Sequence, residues 1–346
     1  MVPLPLVVLA SSLLTAAAPP PLAVRVVSAL GDQVPDPSEK LVRLGTAVTL
    51  HAAVQVPGLG LVSGVPQVVW EPGGKKLKTA KPDPKLGFKL RWYRIEAAAH
   101  SLSNTDPKFH WEPIAYKDVE IEECRDRFDC PAKVITTVLG DRGGLGTMAF
   151  KVEVTFGERK GASPGSEKLY RGGLSAEVAR VTVRRDDSYL GYLTELFNTP
   201  YIWGSAGDPP TVHQAERRIG SDCADFVTYG VRRLGHDVPY TSTYGLPDHS
   251  RLQFEADKPD EAGVYHQKKT GETIPVGEKG VRPGDLLLFP GHVGAFVRDE
   301  PPLGVLSNKD VMIHTCWSEP AEVPITATDY DGTSVKVYRW KALDRH

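Results

Sequence analysis

Gly220-Ser221-Asp222-Cys223-Ala224-Asp225-Phe226-Val227 is the stretch on which the reading of this chain turns, because it sets a thiol where a loop becomes a helix. Upstream, Gly204, Gly207, Pro209 and Pro210 forbid a long regular element. Downstream, Cys223, Phe226, Val227, Val231 and Leu234 recur at three- and four-residue spacing, which marks one apolar helical face with Asp222 or Ser221 as its cap. The thiol then lies in the first turn. Unpaired backbone N–H groups and the positive end of the helix dipole favour a thiolate there, the form that attacks carbonyls.

A nucleophile so placed needs a base, and two histidines follow in strand-like settings. His292 lies in Gly291-His292-Val293-Gly294-Ala295-Phe296-Val297, and His314 in Val311-Met312-Ile313-His314-Thr315. Tyr201-Ile202-Trp203-Gly204 precedes the cysteine, and Arg282-Pro283-Gly284-Asp285-Leu286-Leu287-Leu288-Phe289 precedes the first histidine. In this order the four segments resemble the NlpC/P60 cysteine peptidases, papain-like cell-wall hydrolases, from about Asp187 to the end of the chain. The resemblance implies Cys223 as nucleophile, His292 as proton carrier, His314 holding the other ring nitrogen, and Tyr201 beside the developing oxyanion. It implies no cofactor and no metal. Its substrate would be the peptide stem of peptidoglycan, cut as a D,L-endopeptidase or amidase cuts it.

Trp203, Asp222 and Asp225 are the candidate substrate-binding residues, with Trp203 equally readable as an aromatic wedge between helix and sheet. Where the family reads D-C-S-G-F, this chain has Asp222-Cys223-Ala224-Asp225-Phe226. The hydroxyl after the nucleophile is missing, and a carboxylate at Asp225, if it faced Cys223, would oppose thiolate formation. Two other readings stay open. His314 and Cys316 alternate on one strand and, with Cys223 and His292, make a two-Cys, two-His set that zinc accepts. A wall-binding protein that has lost catalysis is the other.

The chain has 346 residues, 41% hydrophobic and 24% charged, enough for two domains that each bury a core. From Asp186 onward there are 16 Lys+Arg against 24 Asp+Glu, so this part is acidic and the remainder mildly basic. Acidic character argues against nucleic acid as a partner, whereas the basic part could touch anionic wall polymers. Residues 1–21 carry a short apolar run ending in Ala16-Ala17-Ala18-Pro19, which reads as a secretory signal whose only membrane contact would be an uncleaved N-terminal segment. Export to the periplasm or outside makes a Cys124–Cys130 disulfide the natural reading of that close pair, while Cys223 and Cys316 could form a second.

Between 22 and 185 short alternating segments, among them Ala23–Val27, Ala47–Val54, Lys89–Ile95, Met148–Val154 and Ala179–Val183, predict half-buried antiparallel strands. Their spacing suggests an immunoglobulin-like β-sandwich with Trp92 in its core. His51, His100 and His110 have no ligand-like spacing. From 186 to 346 the expectation is a papain-like catalytic domain of helices packed on an antiparallel sheet, so the fold class is α+β. There Asp187 or Ser188 caps a helix reaching Phe197, the residues between Leu234 and Lys279 form a long irregular loop, and Gly294 lets the histidine strand approach the cysteine helix.

Overall fold

The computed structural model describes residues 20–344, so the secretory signal falls almost wholly outside the described residues. The alternating segments of the N-terminal half all become strands. Ala23–Leu30, Val48–Val56, Gly60–Ser63 and Asp129–Pro131 form one sheet, and a second is built on Gly146–Phe156, paired with Lys89–Ala97 on one side and Ala179–Arg184 on the other. Their inward residues, including Val24, Leu50, Val54, Trp92, Phe150, Val152 and Val181, belong to one apolar cluster. Trp92 is fully buried and donates its indole N–H to the carbonyl of Arg127 at 2.9 Å, as a buried indole must. Cys124 and Cys130 are disulfide-bonded with their Cα atoms 5.4 Å apart, whereas Cys223 and Cys316 are free thiols.

In the C-terminal half one six-stranded sheet holds Ser250–Ala256, Val335–Trp340, Leu286–Phe289, His292–Arg298, Val311–His314 and Ala321–Pro324, in that spatial order. The turn at Pro283-Gly284-Asp285 forms as the sequence predicts. Asp285 donates its N–H to the Arg282 carbonyl at 3.0 Å, and its carboxylate accepts the Arg339 guanidinium at 2.7 and 2.8 Å, tying the turn to the neighbouring strand.

The α+β class does not hold. The chain is mostly β, 38% strand against 11% helix, spread over several sheets, and no clear papain-like arrangement of helices on a sheet is present. The sandwich-plus-papain architecture expected from the sequence is therefore replaced by a strand-dominated chain. The helix expected to reach Phe197 does form, as Tyr189–Leu193 closed by a tighter turn at Thr194–Leu196. Asn198, with φ +66°, and Pro200 bar its continuation. The stretch after Leu234 is also more regular than expected. It holds the short helix Leu246–His249 and the edge strand Ser250–Ala256.

No linker separates the halves. Tyr201–Trp203 pairs in parallel with Ser101–Ser103, Thr147 donates its N–H to the Phe197 carbonyl at 3.0 Å, and Arg218 binds Glu39 through Nε at 2.8 Å. The short helix does pack on the cysteine helix, Cys223–Arg233, as expected. Tyr189 donates its hydroxyl to the Val227 carbonyl at 3.1 Å, and a Cβ at Gly230 would meet Leu193 and the Tyr189 ring at 2.8 Å. Gly230→Ala therefore tests the closeness of that packing. Alanine's helix advantage, about 1 kcal/mol, is outweighed by overpacking of about 1–3 kcal/mol against a hydroxyl-pinned ring, so urea unfolding should show a net loss of about 1 kcal/mol. A more stable variant would mean the helices have room to part.

Candidate functional site

Asp222, not Ser221, caps the cysteine helix. Its backbone is extended, at φ −80° and ψ 175°, and its carboxylate accepts the Asp225 N–H at 2.8 Å. That fixes Cys223 as the first helical residue, buried against the histidine strand. Its helix packs directly on the strand that His292 opens, His292–Arg298. The cysteine helix and the histidine strand are thus direct neighbours.

His292 opens its strand fully buried. Its Nε2 lies 2.9 Å from Nδ1 of His314 on the adjacent strand, while its own Nδ1 is buried without a partner. Two neutral imidazoles joined this way must share one proton. If His292 donates from Nε2, its Nδ1 carries a free lone pair, the form a proton acceptor needs. Burial lowers the pKa of His292 far below the ordinary value, with the neighbouring His314 adding to it, and burial brings His314 to about 4. Tyr330 stacks flat on His292, 4.4 Å between centroids and 14° between planes, and its hydroxyl lies 3.6 Å from Cys316 Sγ.

The thiolate expected from the helix dipole is not the resting state. Burial pushes the Cys223 thiol up, and the adjacent Asp222 carboxylate pushes it further. A helix N-terminus offers only about half a unit charge, too little to offset desolvation of a sulfur anion at this depth. Cys223 and His292 therefore rest as a neutral pair.

Asp225 does not oppose that sulfur. Its carboxylate is buried and accepts from Ser205 Oγ at 2.9 Å, His213 Nδ1 at 2.9 Å and Arg232 Nη2 at 2.7 Å, and this ring of donors holds its pKa low against burial. Asp222 is likewise occupied, as cap and as acceptor from the Tyr240 hydroxyl at 3.2 Å. Both were expected to bind substrate. Both are instead buried in the protein's own bonds and position the helix.

Tyr201 is buried beside the cysteine, its hydroxyl pKa raised by burial and then by the nearby Cys223. Trp203 is no wedge; its ring is 46% exposed. Gly294 serves a different neighbour from the one expected, since a Cβ there would meet Met312 and His314 rather than the cysteine helix. Among the described residues, no three His, Cys, Asp or Glu side chains are placed to hold a metal, so Cys223, His292, His314 and Cys316 do not form the four-ligand set considered above. Tyr330, Trp317, Tyr240 and His213 belong to the site, yet each arrives from a loop with no periodicity or motif to single it out.

The chain matches no protein-family model, no curated protein and no solved structure. Among the described residues no helix is long and apolar enough to cross a membrane. The disulfide fits an exported protein.

Two measurements check this electrostatic picture. Iodoacetamide should label Cys223 slowly at pH 7 and ever faster up to pH 10, and a plateau reached by pH 6 would instead mean a resting thiolate. His314 binds its proton more weakly folded, at about 4, than unfolded, at about 6.5, so its contribution to stability is lost as pH falls between those values. His314→Asn should flatten the fall in Tm from pH 6.5 to 4 relative to the parent. An unchanged slope would place the acid sensitivity elsewhere.

Proposed function

We infer that the protein is an exported cysteine hydrolase cutting amide bonds in the peptide stems of peptidoglycan. The observation that carries this reading is the His292 imidazole, with one nitrogen 2.9 Å from His314 and the other buried and unpartnered, on the strand against which the Cys223 helix packs. A buried polar atom without a partner is costly, and a catalytic role explains why it is kept. The order of motifs shared with the NlpC/P60 peptidases, together with the disulfide expected of a periplasmic or extracellular protein, points to the same chemistry.

Because thiol and imidazole rest neutral, the sulfur is activated only as it attacks. Cys223 Sγ–H gives its proton to His292 Nδ1 while Sγ bonds to the amide carbon, and the carbonyl oxygen takes the electron pair. Tyr201, on the cysteine side of the site, can donate its hydroxyl to that oxyanion, because its high pKa keeps the proton in place. As the C–N bond breaks, Nδ1–H protonates the leaving amine. Water then opens the thioester, passing its proton to Nδ1, and the thiol re-forms. Throughout, His314 holds Nε2 and fixes which nitrogen is free.

Incubation with digested wall fragments, followed by mass spectrometry, should release stem-peptide products. Cys223→Ala should abolish release and His292→Ala lower it at least 1,000-fold, roughly the scale of losing one member of such a set, while His314→Ala costs about 10- to 100-fold. Full activity in Cys223→Ala would end the proposal.

A further inference from the structure

We propose that Trp203 and Trp317 form a carbohydrate subsite at the mouth of the cysteine site, which stacks a pyranose ring of the glycan attached to the stem peptide. The inference rests on the hydrolase reading for its substrate class, but its binding claim stands separately. The two indoles are nearly parallel, 17° apart with centroids 6.1 Å apart, and are 46% and 59% exposed. A flat group slotted between facing rings needs about 7 Å or more, twice a carbon contact distance, so a ligand must use their outward faces. Exposed paired tryptophans are unusual on a surface that has no binding role.

Trp317 is held in this position against its own preference. Its φ of +52° is a left-handed conformation that bulky residues rarely adopt. The loop around it is braced by Thr315 donating Oγ1 to the Ser318 carbonyl at 2.7 Å, and by Glu319 bound to His100 at 2.7 Å and to Arg142 at 3.3 Å. A rigid aromatic face loses little entropy on binding. Tyr201, its ring 5.1 Å from that of Trp317, links the pair to the cysteine.

The surroundings select the ligand class. Trp203 lies opposite Ser103, whose hydroxyl is 3.3 Å from that of Thr105, and Trp317 is followed by Ser318 and Glu319. Apolar faces edged by hydroxyls and a carboxylate complement a pyranose, whose C–H face is weakly positive and whose edge carries hydroxyls. An acyl chain would need apolar walls. A cation would need a net negative site, and the Glu319 charge is offset by Arg142.

The test uses full-length Cys223→Ala protein titrated calorimetrically with a β-1,4-linked N-acetylglucosamine tetramer. Saturable binding is expected, weakened at least tenfold by adding Trp317→Ala or Trp203→Ala and unchanged by Tyr244→Ala, a control at an aromatic that is 87% exposed. No saturable binding, or equal binding by the tryptophan variants, would overturn the subsite. Wall fragments left uncut by the parent protein while tetramer binding stays tryptophan-dependent would remove the hydrolase reading and leave the subsite standing.

Discussion

The position of Cys223 depends on a carboxylate two residues on, in the same helical turn, whose own bonds lead away from the sulfur. Asp225 is buried and charged, and its cost is offset by hydrogen bonds from Ser205, His213 and Arg232. Ser205 also donates from Oγ while accepting the Asp222 N–H at 3.0 Å, so one hydroxyl couples the cap residue to the buried charge. Removing one of these partners would leave the buried anion beneath the first helical turn less compensated. The helix start, and with it the sulfur, is therefore fixed by electrostatics rather than by the apolar face alone.

The same burial decides the chemistry. At this depth neither a sulfur anion nor an imidazolium is favoured before substrate arrives, and the helix dipole does not reverse that. On the proposed hydrolase reading, the sulfur becomes a nucleophile only when a carbonyl is present to take up the charge. Tyr330, flat on His292, and His314, at its far nitrogen, leave the imidazole one orientation.

What the sequence revealed follows the range of the interactions involved. The Asp222 cap, the Pro283-Gly284-Asp285 turn and the strands through Trp92 and Phe150 were legible because each is set by neighbours a few residues away or by strict alternation. The pairing of His292 with His314 followed from two strand-like segments lying close in the chain. Ser250–Ala256 stayed hidden because an edge strand with a bulge between Leu252 and Phe254 buries too little to alternate cleanly. The α+β class failed because strand residues outnumber helical ones more than threefold and are spread over several sheets, a balance that local helical patterns such as the one at Tyr189–Leu196 do not reveal. Partners of Asp225 and the stacking of Tyr330 are tertiary facts that no local pattern encodes.

Two residues of the first half, His100 and Arg142, grip Glu319 just beyond Trp317, and Ser101–Ser103 supplies the strand that Tyr201–Trp203 leans on. A gene fragment beginning after Arg185 would thus encode a protein stripped of the supports that hold Trp317 and Trp203 in place. The amino-terminal portion is built into the same body as the cysteine and histidines and is no detachable handle.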